Sequence, residues 1–242
     1  MARQLDLLKI QKELSYGTSP SGTWTHIPFD SVGISLQNEP SATETYSGYK
    51  DRRYLDTGRQ MLQGALAVQV WPDIAKILWN LAGIAAGGYT PSVDLDSYAA
   101  IWYQADKNKT VTQVGLKPNS VKISSSLGDP TLRMDFDLIG KWETEEGAVG
   151  SATFPSSRPY LFSDGTITVD GTAESRVESF NIGIDWKLVY PNYFGYVSGE
   201  STKQAIRTLL PSVRSISFDM AVVEGGEPLE REGGAERPDQ GD

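Results

Sequence analysis

Few residues of this chain have the type and spacing for chemistry. His26 is the one histidine, set in Thr-Trp-Thr-His-Ile-Pro between turn signals. A single imidazole builds no multi-histidine zinc site, and general-base work needs an orienting partner that the sequence does not supply. The simpler reading is a structural histidine. Asp135 and Asp137 stand two apart in an alternating run, which puts both carboxylates on one face of a strand. Paired carboxylates hold metals or serve as acid and base in glycoside hydrolysis. A strand that simply wets one face looks the same, and that is the reading taken. Glu143-Thr-Glu-Glu-Gly147 reads as a charged turn. The glycine clusters GTSPSG, GGYTPS and SLGDP match neither phosphate-loop nor dinucleotide spacing and join no strand to a helix. There is no G-x-S-x-G elbow. No catalytic, cofactor-binding or metal-ligating residue is assigned, and a non-enzymatic protein without cofactor is expected.

Composition agrees. With 242 residues the chain can bury one large β domain or two small ones. Its 24 glycines and 13 prolines suit many turns, and 39% hydrophobic with 22% charged residues belongs to a folded chain. The absence of cysteine removes disulfides, thiolate nucleophiles and cysteine metal sites together. A formal net charge of −9 argues against non-specific nucleic-acid binding, which needs lysine and arginine on phosphates. It does not exclude DNA that moves past without adhering. The opening MARQLDLLKIQKELSYGT interrupts its apolar run with Asp6 and Glu13, unlike a signal peptide. No run approaches the ~18 apolar residues of a membrane span. Cytoplasmic synthesis without membrane insertion is expected.

These side chains need a scaffold, and the scaffold is written mostly in period two. Leu132, Met134, Phe136 and Leu138 alternate with Arg133, Asp135 and Asp137 in residues 131–142. In residues 177–188, Phe180, Ile182, Ile184, Trp186 and Leu188 alternate with Asn181, Gly183, Asp185 and Lys187. Ile216, Phe218 and Met220 alternate in 212–220. Such half-polar strands predict antiparallel sheet with one packed and one wet face. Residues 97–104 and 110–115 read as a hairpin across ADKNK, and 165–171 as a short strand. Leu66, Val68 and Val70 share a strand face that leads into a helix over 72–82. Pro72 suits its first turn, Asp73 favours its dipole, and Gly83 ends it. Ile74, Ile77, Leu78 and Leu81 form its apolar packing stripe. Leu5, Leu7, Leu8, Ile10 and Leu14 fit no single period, and helix or extended arm is open there. Residues 15–31 read as turn-rich with Trp24, Ile27 and Phe29 as anchors, and 1–31 together as an N-terminal arm with the first anchors. Residues 38–60 read as a long loop in which Tyr46, Tyr49 and Tyr54 sit among Lys50, Arg52 and Arg53, a composition common at interfaces. Residues 32–223 read as one domain. Residues 224–242 carry seven acidic and two basic residues and read as a disordered acidic tail.

The order of these elements resembles the major tail tube proteins of long-tailed, non-contractile bacteriophages. The residues that carry the resemblance are Tyr16-Gly-Thr after the Leu/Ile-rich start, the long loop leading into the strand–helix unit 64–83, the pair KPNSVKIS (117–124) and LRMDFDLIGKW (132–142), and ESFNIGIDWKL (178–188). The resemblance implies a β-sandwich or rolled barrel with one flanking short helix and long loops. It implies homohexameric rings stacked into a tube, with a lumen that conducts DNA without specific binding. Tape-measure, tail terminator and distal tail proteins are the implied partners, and the virion tail is the implied location. Residues 38–60 match the inter-ring loop, and the helix lies on the outer side. Strands 131–141 and 177–188 match the lumen wall, with Asp135, Asp137 and Asp185 facing the DNA path. An acidic wall would repel phosphate. Where relatives have a further strand or an immunoglobulin-like domain after 212–220, this chain has the acidic tail.

Two other readings fit the same pattern. One is an inner-tube or baseplate ring protein of a contractile machine. The other is a monomeric β-sandwich that binds carbohydrate or peptide, for which Trp102, Tyr103, Tyr190, Tyr193, Phe194 and Tyr196 supply aromatics.

Overall fold

The structure is a computed structural model, described for residues 6–42, 55–84, 95–146, 153–174, 176–189, 194–197, 200–206, 209–212 and 214–223. Strands β1 (Leu7–Lys12), β2 (Thr25–His26), β3 (Ser31–Val32), β4 (Ser35–Ala42) and β5 (Leu55–Gln69) precede helix α1 (Pro72–Leu81). Then come β6 (Tyr98–Gln104), β7 (Lys109–Ser126), β8 (Arg133–Gly140) and β9 (Trp142–Glu146). The remainder is β10 (Thr168–Val169), β11 (Thr172–Ala173), β12 (Val177–Asp185), β13 (Leu188–Val189), β14 (Phe194–Val197), β15 (Glu200–Ile206), β16 (Leu210–Pro211) and β17 (Ser215–Val222). The molecule is mainly antiparallel β with one flanking helix. The described strands make a sandwich-like arrangement rather than a closed barrel.

β7 organises it. Its first half pairs with β6 and β9, and its second half with β8 and β12. One 18-residue strand therefore belongs to two sheet halves. The change of partners falls at Gly115, whose φ of +75° a side chain would resist. A Cβ there would also lie 2.7 Å from Lys141 Cβ. Lys141 is the interruption between β8 and β9, and its N–H donates to Val114 across the bend (2.9 Å).

A buried acid holds the bend. Glu13 is 4% exposed. Its carboxylate accepts the Gly115 N–H at 2.7 Å and the Gly17 N–H at 2.8 Å, while its own N–H donates to Ser97 O (2.9 Å). Burial pushes its pKa up, against the opposing pull of Ser97, the two backbone donors and Lys141. Tyr16 lies beneath the ammonium groups of Lys117 and Lys141, 5.5 and 5.8 Å from its ring centre. The N-terminal segment is thus an ordered strand paired with β6, with Leu8 and Ile10 buried. Leu14, next to the buried acid, is 95% exposed, and that break of alternation hides the strand in the sequence.

The helix follows from its stripe. Ile74, Leu78 and Leu81 are buried, and Ile77 packs half-buried on the same core. Each fully buried leucine of this kind contributes about 1.5–3 kcal/mol. Gly83, at φ +71°, donates to Asn80 O and closes the last turn.

Four expectations change. Residues 38–42 and 55–60 are not loop: they belong to β4 and β5, which pair antiparallel up to Ala42 opposite Leu55. The connection shrinks to 43–54, because backbone pairing needs no hydrophobic alternation. Glu143–Glu146 is not a turn but part of β9, paired with Thr110–Gln113. The strand expected over 131–142 ends at Gly140, and the strand expected over 110–115 runs on to Ser126.

Candidate functional site

The second sheet half presents one polar face built by register. Across five strands, Ala67, Asp135, Lys122, Gly183 and Ser217 lie side by side. The next row is Ala65, Asp137, Ser120, Asp185 and Ser215, and the third is Gln69, Arg133, Ser124, Asn181 and Asp219. Small residues at half of these places leave an open groove of about 630 Å³. Asp135, Asp137 and Asp185, predicted from sequence, all line it, together with Lys122 and Asn181.

The groove is acidic and fixed. Asn119 donates to Asp137 (2.9 Å), and Lys187 N–H donates to Asp185 (2.9 Å). Asn181 donates to Asp219 at 3.4 Å. Arg133 is occupied, bonded to Asp30 (3.0 Å) and Asp129 (3.3 Å). Hydrogen bonds from Thr131 and Arg133 hold the Asp129 carboxyl below the usual carboxylate range. Four carboxylates thus share the face with Lys122. Nothing in it resembles a nucleophile with its base, and among the described residues no three acids or histidines converge as metal ligands.

On the opposite face the rows are apolar, and they outrun their cover. Leu66, Phe136, Val121 and Ile184 are buried, but Ile216 at the end of that row is 49% exposed. Val68, Met134 and Ile123 are buried in the next row, Ile182 is half-buried, and Phe218 is 54% exposed. Among the described strands β17 pairs only with β12, so its outer N–H and C=O groups face outward. An apolar face that continues onto an unpaired edge is the anatomy of an interface. The sequence shows β17 as an alternating strand; that its apolar side stays uncovered follows only from the register.

The other candidates fall elsewhere. His26 is buried in β2 opposite Lys9, its ring 6.3 Å from Phe154. It borders a groove of about 690 Å³ with Trp24 and Asp73. Asp73 accepts the N–H groups of Ser156 and Ser157, which hold its carboxyl below the usual range. Tyr46, Tyr49, Lys50, Arg52, Arg53 and Tyr54 lie outside the described residues, as do Tyr190, Tyr193 and the tail 224–242. Tyr103 is buried and Trp102 half-buried, so they form no exposed platform. No helix among the described residues is long and apolar enough to cross a membrane.

A family model described as phage tail tube protein matches residues 7–223. No curated protein matches the chain. A solved structure described as a type six secretion system protein is similar at 16% identity with a TM-score of 0.32, covering 73% of this chain and 94% of that one.

Proposed function

The chain belongs to the phage tail tube protein family, and from that premise we propose that it is the structural subunit of a non-contractile tail tube. Six copies close a ring, rings stack, and the acidic groove faces the lumen through which DNA passes. The observation that carries this reading is the sheet with one acidic wet face and apolar rows that emerge uncovered at β17. β17 and β14 lie toward opposite ends of the sheet, and unlike edges meeting head to tail generate closed rings. Pairing there would cover Ile216 and Phe218 and satisfy the β17 edge. The carboxylate face repels phosphate, so DNA slides rather than adheres. Tape-measure, terminator and distal tail proteins are the expected neighbours, and the virion tail is the expected location.

Negative-stain microscopy of the purified chain over a range of concentrations tests this. Six compact subunits of this size give rings ~80–100 Å across, or hollow fibres at higher concentration. A chain that remains monomeric at every concentration, with and without added tail initiator components, overturns the reading and favours a monomeric binding module.

A further inference from the structure

The groove of about 690 Å³ beside His26 shares no lining residue with the acidic face, and three elements wall it. β1 and β2 supply the first wall. Lys9 and His26 are cross-strand partners, so their side chains share one face, while Leu8, Ile10 and Ile27 point the other way into the core. The first turn of α1 supplies the second wall through Asp73. Residues 153–156 supply the third, and Phe154 leans over His26 with ring centroids 6.3 Å apart and planes tilted by 49°. The N–H groups of Ser156 and Ser157 bond Asp73 at 3.0 and 3.4 Å, which fastens this third wall to the helix. The groove therefore stands formed without a ligand.

Its chemistry is mixed. Phe154 is 55% exposed and Trp24 is half-buried, so two aromatic side chains keep uncovered surface in one groove. Thr23, Thr25, Thr153 and Ser156 place hydroxyls around them. Lys9 is half-buried, and its ammonium pairs with no carboxylate among the described residues. Asp73 spends its charge on the two backbone donors.

That combination selects a ligand. A wholly apolar one would cover the ammonium and the hydroxyls without pairing them. A polyphosphate would find one lysine in the groove and a chain of net charge −9 around it. A sugar acid matches each part. The C–H face of a pyranose lies against an aromatic ring, its hydroxyls exchange hydrogen bonds with threonine and serine, and its single carboxylate takes a charge-assisted bond from the ammonium. The volume falls within the ~300–1,000 Å³ of ligand clefts.

We propose that this groove binds a hexuronic acid unit of an acidic polysaccharide, with Trp24 and Phe154 as stacking walls and Lys9 as the carboxylate's partner. All three walls belong to one chain, so the site is complete in a single subunit and does not rest on the tube reading.

Isothermal titration calorimetry of the full chain with trigalacturonate tests this, with maltotriose as the neutral counterpart. The wild type is expected to bind trigalacturonate with a Kd of about 1 mM or tighter. It is expected to prefer it to maltotriose by at least about tenfold, the ratio given by one charged hydrogen bond. Lys9→Gln is expected to bring trigalacturonate down to the level of maltotriose, and Phe154→Ala to weaken it at least about tenfold. Neither side chain is fully buried, and an unchanged thermal melt verifies each fold. Should Phe154→Ala melt early, Phe154→Leu keeps an apolar cover on His26 without the ring and takes its place. Absence of binding to the wild type up to about 10 mM overturns the proposal. So does equal affinity for the two sugars, or undiminished trigalacturonate binding in either variant, since the acid then sits elsewhere on the chain.

Discussion

Glu13 is an acid that composition would place on the surface and that the fold buries at the Gly115 bend. Its raised pKa means that the folded chain holds this proton more tightly than the unfolded chain does. Stability from this group is fully present below the unfolded value of about 4.5 and is lost as pH rises through the folded value. Asp129, Asp164 and Glu174 have the opposite sign, with Glu174 held at about 2 by Arg176, and their contribution is lost as pH falls. Glu13→Gln is therefore expected to gain on the wild type as pH rises from 5 to 7 in urea unfolding; parallel pH profiles would refute the assignment. Glu13→Ala strands the Gly115 and Gly17 N–H groups and is expected to cost about 1–3 kcal/mol. Residue-scale legibility was uneven. Asp135, Asp137 and Asp185 could be put on a wet face by parity alone. The role of Glu13 depends on Ser97, Gly115 and Lys141, partners ~80–130 positions away that no local pattern reveals.

At the scale of elements, β17 concentrates the exposed apolar surface. Phe218→Lys is expected to leave the thermal midpoint within the small range of surface substitutions, about ±0.5 kcal/mol, while abolishing rings by size-exclusion chromatography and microscopy. Rings of unchanged diameter would show that this edge is not the contact. Helix α1 and strands β8, β12 and β17 were legible because burial on one face imposes a period. The polar stretches of β4, β5, β14 and β15 were not. Their pairing is written in backbone hydrogen bonds, which leave no mark on residue choice. β1 was obscured by Leu7 and Leu14, which flank the buried pair Leu8 and Ile10 without sharing their side.

For the whole molecule, the balance of charge on the groove matters more than any one contact. Asp135→Lys with Asp137→Lys replaces two negative charges by two positive ones beside Lys122. The doubly substituted chain is expected to assemble, since neither residue reaches the β17 edge. Its tubes are expected to retain duplex DNA at about 50 mM salt and release it near 200 mM, and particles carrying it to eject slowly. Tubes that still ignore DNA at low salt would place the groove outside the lumen. The architecture has a mechanical consequence too. β5 is gripped along both edges, by β3 and β4 on one side and by β8 and β15 on the other. A pull along its length loads those bonds in parallel, as shear, instead of peeling them one after another. That strand is then the tie rod of the subunit, whose bonds yield together rather than in sequence.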